Sequence, residues 1–389
     1  MMRDEPLRVA LFSGNYNYVM DGPVRALNKL VAHLEKRGHE VLVFAPTVKE
    51  PAFEHAGTLV SVPSIALPGS RSEYRLGFGA RGSARRRLDA FAPTLIHISA
   101  PDFTGYTALR YAMKNNVPVV ASFHTRFDTY PRYYGAGWAE RYLTDYMRWF
   151  YSRCIHVYPP SQSMADELRA DGIGKDIRLW SRGVEADLFN PGKRDMAWRR
   201  AAGIDDEAVA VAFVGRLVLE KGIDVFADAI SKARQSNPKI CAIIVGEGPE
   251  RDYFEKRAPW GHFTGYQQGE GLARAYASAD IFFNPSITET FGNVTLEAMA
   301  CGLPTVAARA SGSLSLVEDN ITGLLADPAR GADGFAEAIA TLAVKPSARS
   351  RMGEAARSRS LEFDWAAILD ELIENYKEAM EVFDQSKIS

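Results

Sequence analysis

Cysteine is scarce in this chain: Cys154, Cys241 and Cys301 are the only three in 389 residues. None stands in a C-x-x-C pair or a Cys/His spacing that would hold a metal, and three cannot build a disulfide framework. A reducing, cytoplasmic compartment is the expectation. Long apolar runs are missing too, and no stretch approaches the ~18 continuous apolar residues of a membrane span. The opening Met1-Met-Arg-Asp-Glu-Pro6 carries charges of both signs and runs straight into an apolar segment, unlike a secretory signal. There is no G-x-x-x-x-G-K-[ST] loop, and the Gly14–Pro23 loop is not a G-x-G-x-x-G fingerprint. No Asp-x-Asp pair occurs either, which removes the metal–diphosphate device built on that motif. Neither a metal nor a cofactor is expected. Net charge is weak, with 46 Lys and Arg against 48 Asp and Glu. A pI near 6.4 and the lack of a recognised motif argue against nucleic acid as a partner.

What is present is ordinary globular composition, 47% hydrophobic and 24% charged. The length predicts two domains of roughly 150–200 residues each. The charge is unevenly divided: residues 1–190 carry a balance of +5 and the remainder −7. A basic half suits an anionic surface or ligand; surface scatter is the plain alternative.

Apolar strand-like runs alternate with helix-like spacing. Leu7–Ser13, Val41–Ala45, Thr94–Ile98, Pro118–Phe123 and Cys154–Tyr158 read as strands. Val24, Leu27, Leu30, Val31 and Leu34 mark one helix face, and Tyr106–Asn115 is a second helix. This βα alternation predicts a parallel sheet, whose ligands sit at the carboxyl ends of its strands. Asp187–Asp195 is turn-rich and polar, which predicts an interdomain linker. The alternation then restarts at Ala210–Gly215, with further strands at Ile240–Gly246, Asp280–Asn284, Pro304–Ala307 and Gly323–Ala326. Ile368, Leu369, Leu372, Ile373, Tyr376 and Met380 line one face of an amphipathic closing helix.

The stretch Ile287–Gly302 sets two carboxylates, Glu289 and Glu297, on either side of a loop that turns into a helix. Asn293 is the expected N-cap, Val294–Cys301 the helix and Gly302 its C′ residue. Backbone N–H groups at such a start, together with the helix dipole, favour an anion such as phosphate. The flanking Glu side chains can accept hydrogen bonds from hydroxyl groups, so phosphate between hydroxyl-bearing rings, a nucleotide sugar, is the ligand the stretch suggests. Arg216 and Lys221, just beyond a predicted strand end, are either solvated loop cations or a clamp on a diphosphate leaving group. His124 follows a strand, where a lone His serves structure or chemistry. Asp21-Gly22 lets backbone approach a ligand closely. Val245-Gly-Glu-Gly-Pro249 holds only G-x-G, which by itself is weak.

Together these segments resemble the retaining nucleotide-sugar glycosyltransferases of GT-B architecture, in glycosyltransferase family 4, which includes phosphatidylinositol mannosyltransferases and sulfoquinovosyl-diacylglycerol synthase. Glu289-Thr-Phe-Gly-Asn-Val-Thr-Leu-Glu297 matches the family's Glu-x7-Glu signature; Gly215–Gly222, Val245–Pro249 and Arg182–Pro191 match its other motifs. The resemblance implies two Rossmann-like α/β domains facing across a cleft, with a C-terminal helix closing back toward the first. The implied boundaries are 1–187 for the acceptor-binding domain, 188–196 for a linker, 197–363 for the nucleotide-sugar domain and 364–389 for the helix.

It also implies roles. His124, Arg216, Lys221 and Glu289 would serve the transfer. Gly22, Gly246, Tyr266, Phe291, Gly292, Asn293, Val294 and Glu297 would bind the donor, Glu297 through the ribose hydroxyls. The implied reaction moves a hexose or hexuronic acid, with retention and without metal, from a UDP- or GDP-linked sugar to an acceptor hydroxyl. Ala310–Glu318 departs from the family's Gly-Gly pattern, which affects contacts near the sugar.

For the acceptor, Arg71–Arg87 interleaves six Arg with Tyr74, Leu76 and Phe78, and Tyr130–Trp138 adds an aromatic loop. That combination suits an anionic membrane face at about 1 kcal/mol per cation. The two stretches also resemble the acceptor-side regions of diacylglycerol-directed relatives, and that resemblance implies a membrane lipid such as diacylglycerol or ceramide as the acceptor, with peripheral contact on the inner face of the cytoplasmic membrane. A soluble or polysaccharide acceptor is the alternative. A silent nucleotide-sugar sensor, an epimerase and a phosphorylase are competing readings.

Overall fold

A computed structural model describes residues 5–67, 74–124 and 140–387. The chain divides into two compact units. One runs to Ser181 and resumes from Ala366, and the other spans Arg182–Trp365.

The first unit is built on β1 (Arg8–Phe12), β2 (Glu40–Ala45), β3 (Thr58–Ser61), β4 (Ser64–Ala66), β5 (Arg75–Gly77), β6 (Leu95–Ile98), β7 (Val119–Ser122) and β8 (Val157–Tyr158). Six of these form a parallel sheet in the order β3-β2-β1-β6-β7-β8, while β4 and β5 pair as a separate antiparallel hairpin. The central strands β1, β6 and β7 are buried almost throughout, which is why they read as continuous Val/Ile/Leu runs rather than alternating ones. Helix Gly22–Lys36 buries Val24, Leu27, Leu30, Val31 and Leu34, as the spacing predicts. The predicted strand Cys154–Tyr158 shortens to the two residues of β8, because Cys154 and Ile155 still bond back to the preceding helix and to β7.

The second unit repeats the plan with β9 (Val209–Val214), β10 (Ile240–Val245), β11 (Gly261–Gly265), β12 (Ile281–Asn284), β13 (Thr305–Ala308) and β14 (Gly323–Ala326). All are parallel, ordered β11-β10-β9-β12-β13-β14. The half-exposed edge strand β11 carries no apolar run, and sequence pattern does not announce it. The fold class is therefore α/β, with two Rossmann-like parallel sheets.

The division does not fall at the turn-rich linker. Residues 182–196 belong to the second unit, where Phe189 is buried edge-on to Tyr276. Arg357 donates to the carbonyls of Phe189 and Ala300 at 2.8 Å each, and Arg194 reaches Asp280 at 2.7 Å. Gly, Pro and Asn report that the chain turns; what the turn packs against is a long-range matter. The motif Arg182-Gly-Val-Glu185 acts in the same way. Val184 pairs with Phe363 through backbone, and any Cβ on Gly183 would strike the Trp365 ring at 2.6 Å.

Helix Trp365–Ser386 buries Leu369, Leu372, Ile373, Tyr376 and Met380. Asp370 accepts from His33 at 2.7 Å and also binds Arg37, Glu378 pairs with Arg178, and the Tyr376 hydroxyl is hydrogen-bonded to His97. These contacts make the helix part of the first unit. All three cysteines are free, and burial pushes the Cys301 thiol up to about 12.

Candidate active site

In a doubly wound parallel sheet, the crevice for a ligand opens where the strand order reverses. In the second unit that point lies between β9 and β12. The β9 loop runs Gly215-Arg-Leu-Val-Leu-Glu-Lys-Gly222, with a 3-10 turn at Leu219–Lys221, and then enters helix Ile223–Ser236. The β12 loop runs from Pro285 to Gly292 and enters helix Asn293–Ala300.

The two loops hold each other. Lys221 Nζ donates to Glu289 Oε1 at 2.7 Å, and Thr288 Oγ1 donates to the Glu220 carbonyl at 3.4 Å. A Cβ on Gly222 would stand 3.1 Å from Pro285, so close packing and its φ of +72° both favour glycine there. The Lys221 side chain is 33% exposed and that of Glu289 16%. The pair is part-buried with Lys221 the more open partner, so its ammonium can also face an incoming anion. Arg216 stands exposed on the same loop.

The helix after Glu289 starts differently from the expectation. Gly292 is the N-cap, at φ +97° and with no side-chain cap bond, and Asn293 is already the first helical residue. The left-handed turn swings the chain into the helix, and the Gly292 carbonyl accepts from Thr295 and Leu296. Asn293 Oδ1 is buried and takes no hydrogen bond among the described residues. Helix geometry leaves the first N–H groups, including those of Asn293 and Val294, without intrahelical acceptors. Phe291 is buried and packs edge-on to Phe363. Glu297 is buried within the same helix, and the Tyr276 hydroxyl donates to its Oε2 at 3.2 Å.

Two residues behind the site have no sequence signal. Tyr276 orients Glu297 from another helix. Gly312 donates its N–H to the Glu289 carbonyl at 3.0 Å, and a Cβ there would fall 2.6 Å from that oxygen. Gly312 lies in the segment that departs from the family pattern, and it backs the Glu289 loop closely.

Gly246 answers to packing between loops. Its Cβ would meet the Gly215 carbonyl at 1.9 Å, and Gly248 crowds Leu217 in the same way. The G-x-G thus lets the β9 and β10 ends touch. Tyr266 stands 62% exposed beyond β11, on the same sheet edge but two strands from the crevice. Among the described residues no three His, Cys, Asp or Glu side chains converge as a metal site would require.

In the first unit the reversal lies between β1 and β6. Gly22 opens helix Gly22–Lys36, whose N-cap Asp21 accepts from Val24 N–H at 2.9 Å; burial raises the Asp21 carboxyl. After β6, Asp102 caps helix Phe103–Asn115 through Gly105 N–H at 2.8 Å, and burial pushes its carboxyl up to about 6. His124 follows β7 and lies edge-on to the buried Trp180, ring centroids 5.8 Å apart. The loop Tyr130–Trp138 and residues Arg71–Glu73 lie outside the described residues.

Two doubly wound parallel sheets in one chain follow the GT-B plan, and similarity to known proteins gives the class, a glycosyltransferase. The family model described as Glycosyltransferase Family 4 matches residues 20–188, and that described as Glycosyl transferases group 1 matches residues 195–359. The chain is 35% identical over 378 residues to the GDP-mannose-dependent alpha-mannosyltransferase of Mycolicibacterium smegmatis, covering 95% of this chain and 97% of that one. It is 24% identical over 339 residues to the alpha-monoglucosyldiacylglycerol synthase of Acholeplasma laidlawii, covering 82% and 84%. Sucrose-phosphate synthase from Thermosynechococcus elongatus shares the fold at a TM-score of 0.78 and 21% identity, over 97% of this chain and 100% of that one. The chain belongs to this glycosyltransferase family.

Proposed function

We propose that the enzyme transfers a hexosyl group from a nucleoside-diphosphate sugar to a hydroxyl of a membrane lipid, with retention and without a metal ion. The observation that carries the donor half is the Lys221–Glu289 pair at 2.7 Å, set at the β9/β12 reversal beside the open helix start at Gly292. Lys221 and Arg216 supply fixed positive charge for the diphosphate, which favours departure of that group without a metal. The N–H groups at the Gly292 turn add partial charge on the same anion. Glu289 accepts from donor-sugar hydroxyls, and Glu297, oriented by Tyr276, accepts from the ribose. Gly22, His124, Gly246 and Tyr266 keep the roles their resemblance assigns.

The departing phosphate takes the acceptor proton on the face where its bond to the sugar breaks. The oxocarbenium-like transition state therefore needs no carboxylate nucleophile. GDP-mannose is the donor to test first, because the Mycolicibacterium relative is named for it; UDP-linked hexose and hexuronic acid follow. The lipid acceptor is supported by the interleaved arginines of the first unit and by the diacylglycerol in the Acholeplasma relative's name.

Thermal stabilisation against a panel of nucleotides tests the donor, since a ligand at 100 times its Kd adds ~2.7 kcal/mol. Transfer to lipid is then assayed with and without chelator, and the product anomer is read by NMR. Loss of activity with chelator, or an inverted anomer, overturns the corresponding part. No transfer to any lipid acceptor, with transfer to a soluble one, replaces the acceptor.

A further inference from the structure

A groove of about 870 Å³ lies in the first unit, within roughly the 300–1,000 Å³ range of ligand sites. Its walls are helices Ser83–Phe91 and Phe103–Asn115, and Phe12 and Leu88 form its floor. Phe78, Phe103, Tyr106 and Tyr111 line it, with Phe103 42% and Met113 54% exposed. Four cations rim this apolar trough: Arg81, Arg85, Arg110 and Lys114.

The cations are placed differently from ordinary surface charges. Arg81 lies 6.0 Å from the Phe78 ring and 5.9 Å from the Phe103 ring, and Arg85 sits 4.4 Å over Tyr111. Arg85 also pairs with Asp89 at 2.9 Å. No carboxylate among the described residues pairs with Arg81, Arg110 or Lys114. Among the described residues the groove lining is aromatic, aliphatic and cationic, with no carboxylate and no His, a set that suits binding. An apolar trough with a one-signed cationic rim complements a molecule that joins a hydrocarbon chain to an anionic head.

We infer that this groove seats an acyl chain of an anionic bilayer lipid, with the lipid phosphate held at the rim by Arg81, Arg110 and Lys114. The inference deepens the proposed membrane-lipid reading and rests on it for its setting. It assigns a lipid site that takes no part in transfer and that orients the first unit on the bilayer. Charge alone would bind any anionic surface; the trough adds a demand for a chain.

The test uses the full chain and dihexanoyl phosphatidylglycerol below its critical micelle concentration, titrated by calorimetry, alongside phosphatidylglycerol and phosphatidylcholine vesicles in co-sedimentation. The wild type binds the soluble lipid and the anionic vesicles and leaves the neutral ones. Ala80→Trp, which fills the groove, abolishes soluble-lipid binding. The double variant Arg110→Glu/Lys114→Glu lowers affinity at least ~10-fold, since each cation near a membrane is worth about 1 kcal/mol. Circular dichroism and the thermal midpoint check folding. If Ala80→Trp fails that check, the exposed Met113→Glu carries the test in its place.

Absence of soluble-lipid binding by wild type, or equal binding by wild type and the filled variant, overturns the assignment. So does a concentration-dependent dimer in lipid-free solution that Met113→Glu abolishes, because a second copy would then own the groove. Groove binding without any transfer to lipid defeats the proposed acceptor and leaves this site standing. Transfer to lipid without groove binding does the reverse.

Discussion

The two sheets share one plan, yet their helices begin in opposite ways at the reversal points. In the first unit each helix there is closed by its own carboxylate, Asp21 for Gly22–Lys36 and Asp102 for Phe103–Asn115. In the second unit both helices start on a left-handed glycine, Gly222 and Gly292, with no side-chain cap. A carboxylate cap satisfies the first turn and repels a second anion. A glycine start leaves the N–H groups and the dipole available. The first unit thus fills its helix starts with its own side chains while the second leaves them open, and the difference is two residues per sheet.

The largest effect should come from removing the charge that completes the open end. Lys221→Ala and Glu289→Ala are each expected to lower turnover by at least ~10²-fold, by analogy with deleting one preorganised stabilising group. Steady-state kinetics with the donor that the nucleotide panel identifies checks this, and near-wild-type kcat in both would sink the site assignment.

Next, the first unit's device can be installed in the second. Gly292→Asp places a cap carboxylate where the anion is expected, at a position whose φ of +97° costs a side chain ~1–2 kcal/mol. The variant should fold with a lowered midpoint and lose its thermal response to nucleotide. A full response would show that the helix start does not hold phosphate.

Asp102 sharpens the other side. Burial raises its folded carboxyl from 3.8 to about 6, so the folded protein binds the extra proton in that interval. Stability from this group is therefore present below about pH 4 and is lost as pH rises through about 6. Chemical denaturation at several pH values should show the wild type losing ground to Asp102→Asn between pH ~4 and ~6. A constant difference would mean that Asp102 is not held protonated.

The smallest effect concerns which unit owns the closing helix. Tyr376→Phe removes one buried hydrogen bond to His97 and should cost about 1 kcal/mol. Hydrogen exchange should place the loosening in the first unit's sheet. Loosening confined to residues 182–365 would contradict the division.

Much of this arrangement was legible. The strands announce themselves because parallel sheets bury both faces. Val24, Leu27, Leu30, Val31 and Leu34 identify their helix because one face is covered. The Glu-x7-Glu stretch is conspicuous because two carboxylates and a helix start fall within nine consecutive residues. Three things escaped. Asn293 looked like a cap because its residue type favours that place, while the glycine before it does the turning. Asp187–Asp195 looked like a linker because turn residues say nothing of what buries Phe189. Tyr276 and Gly312 gave no signal, since each meets its glutamate across at least twenty residues of chain.

Local order followed from the residues themselves: burial pattern, helix faces and glycine turns are short-range consequences of side-chain chemistry. The reach of Lys221 to Glu289, sixty-eight positions on, did not. That contact exists because β12 pairs beside β9 instead of beside β11, and strand order is settled by how whole layers of side chains pack. The same packing gave the first unit its closing helix from the far end of the chain.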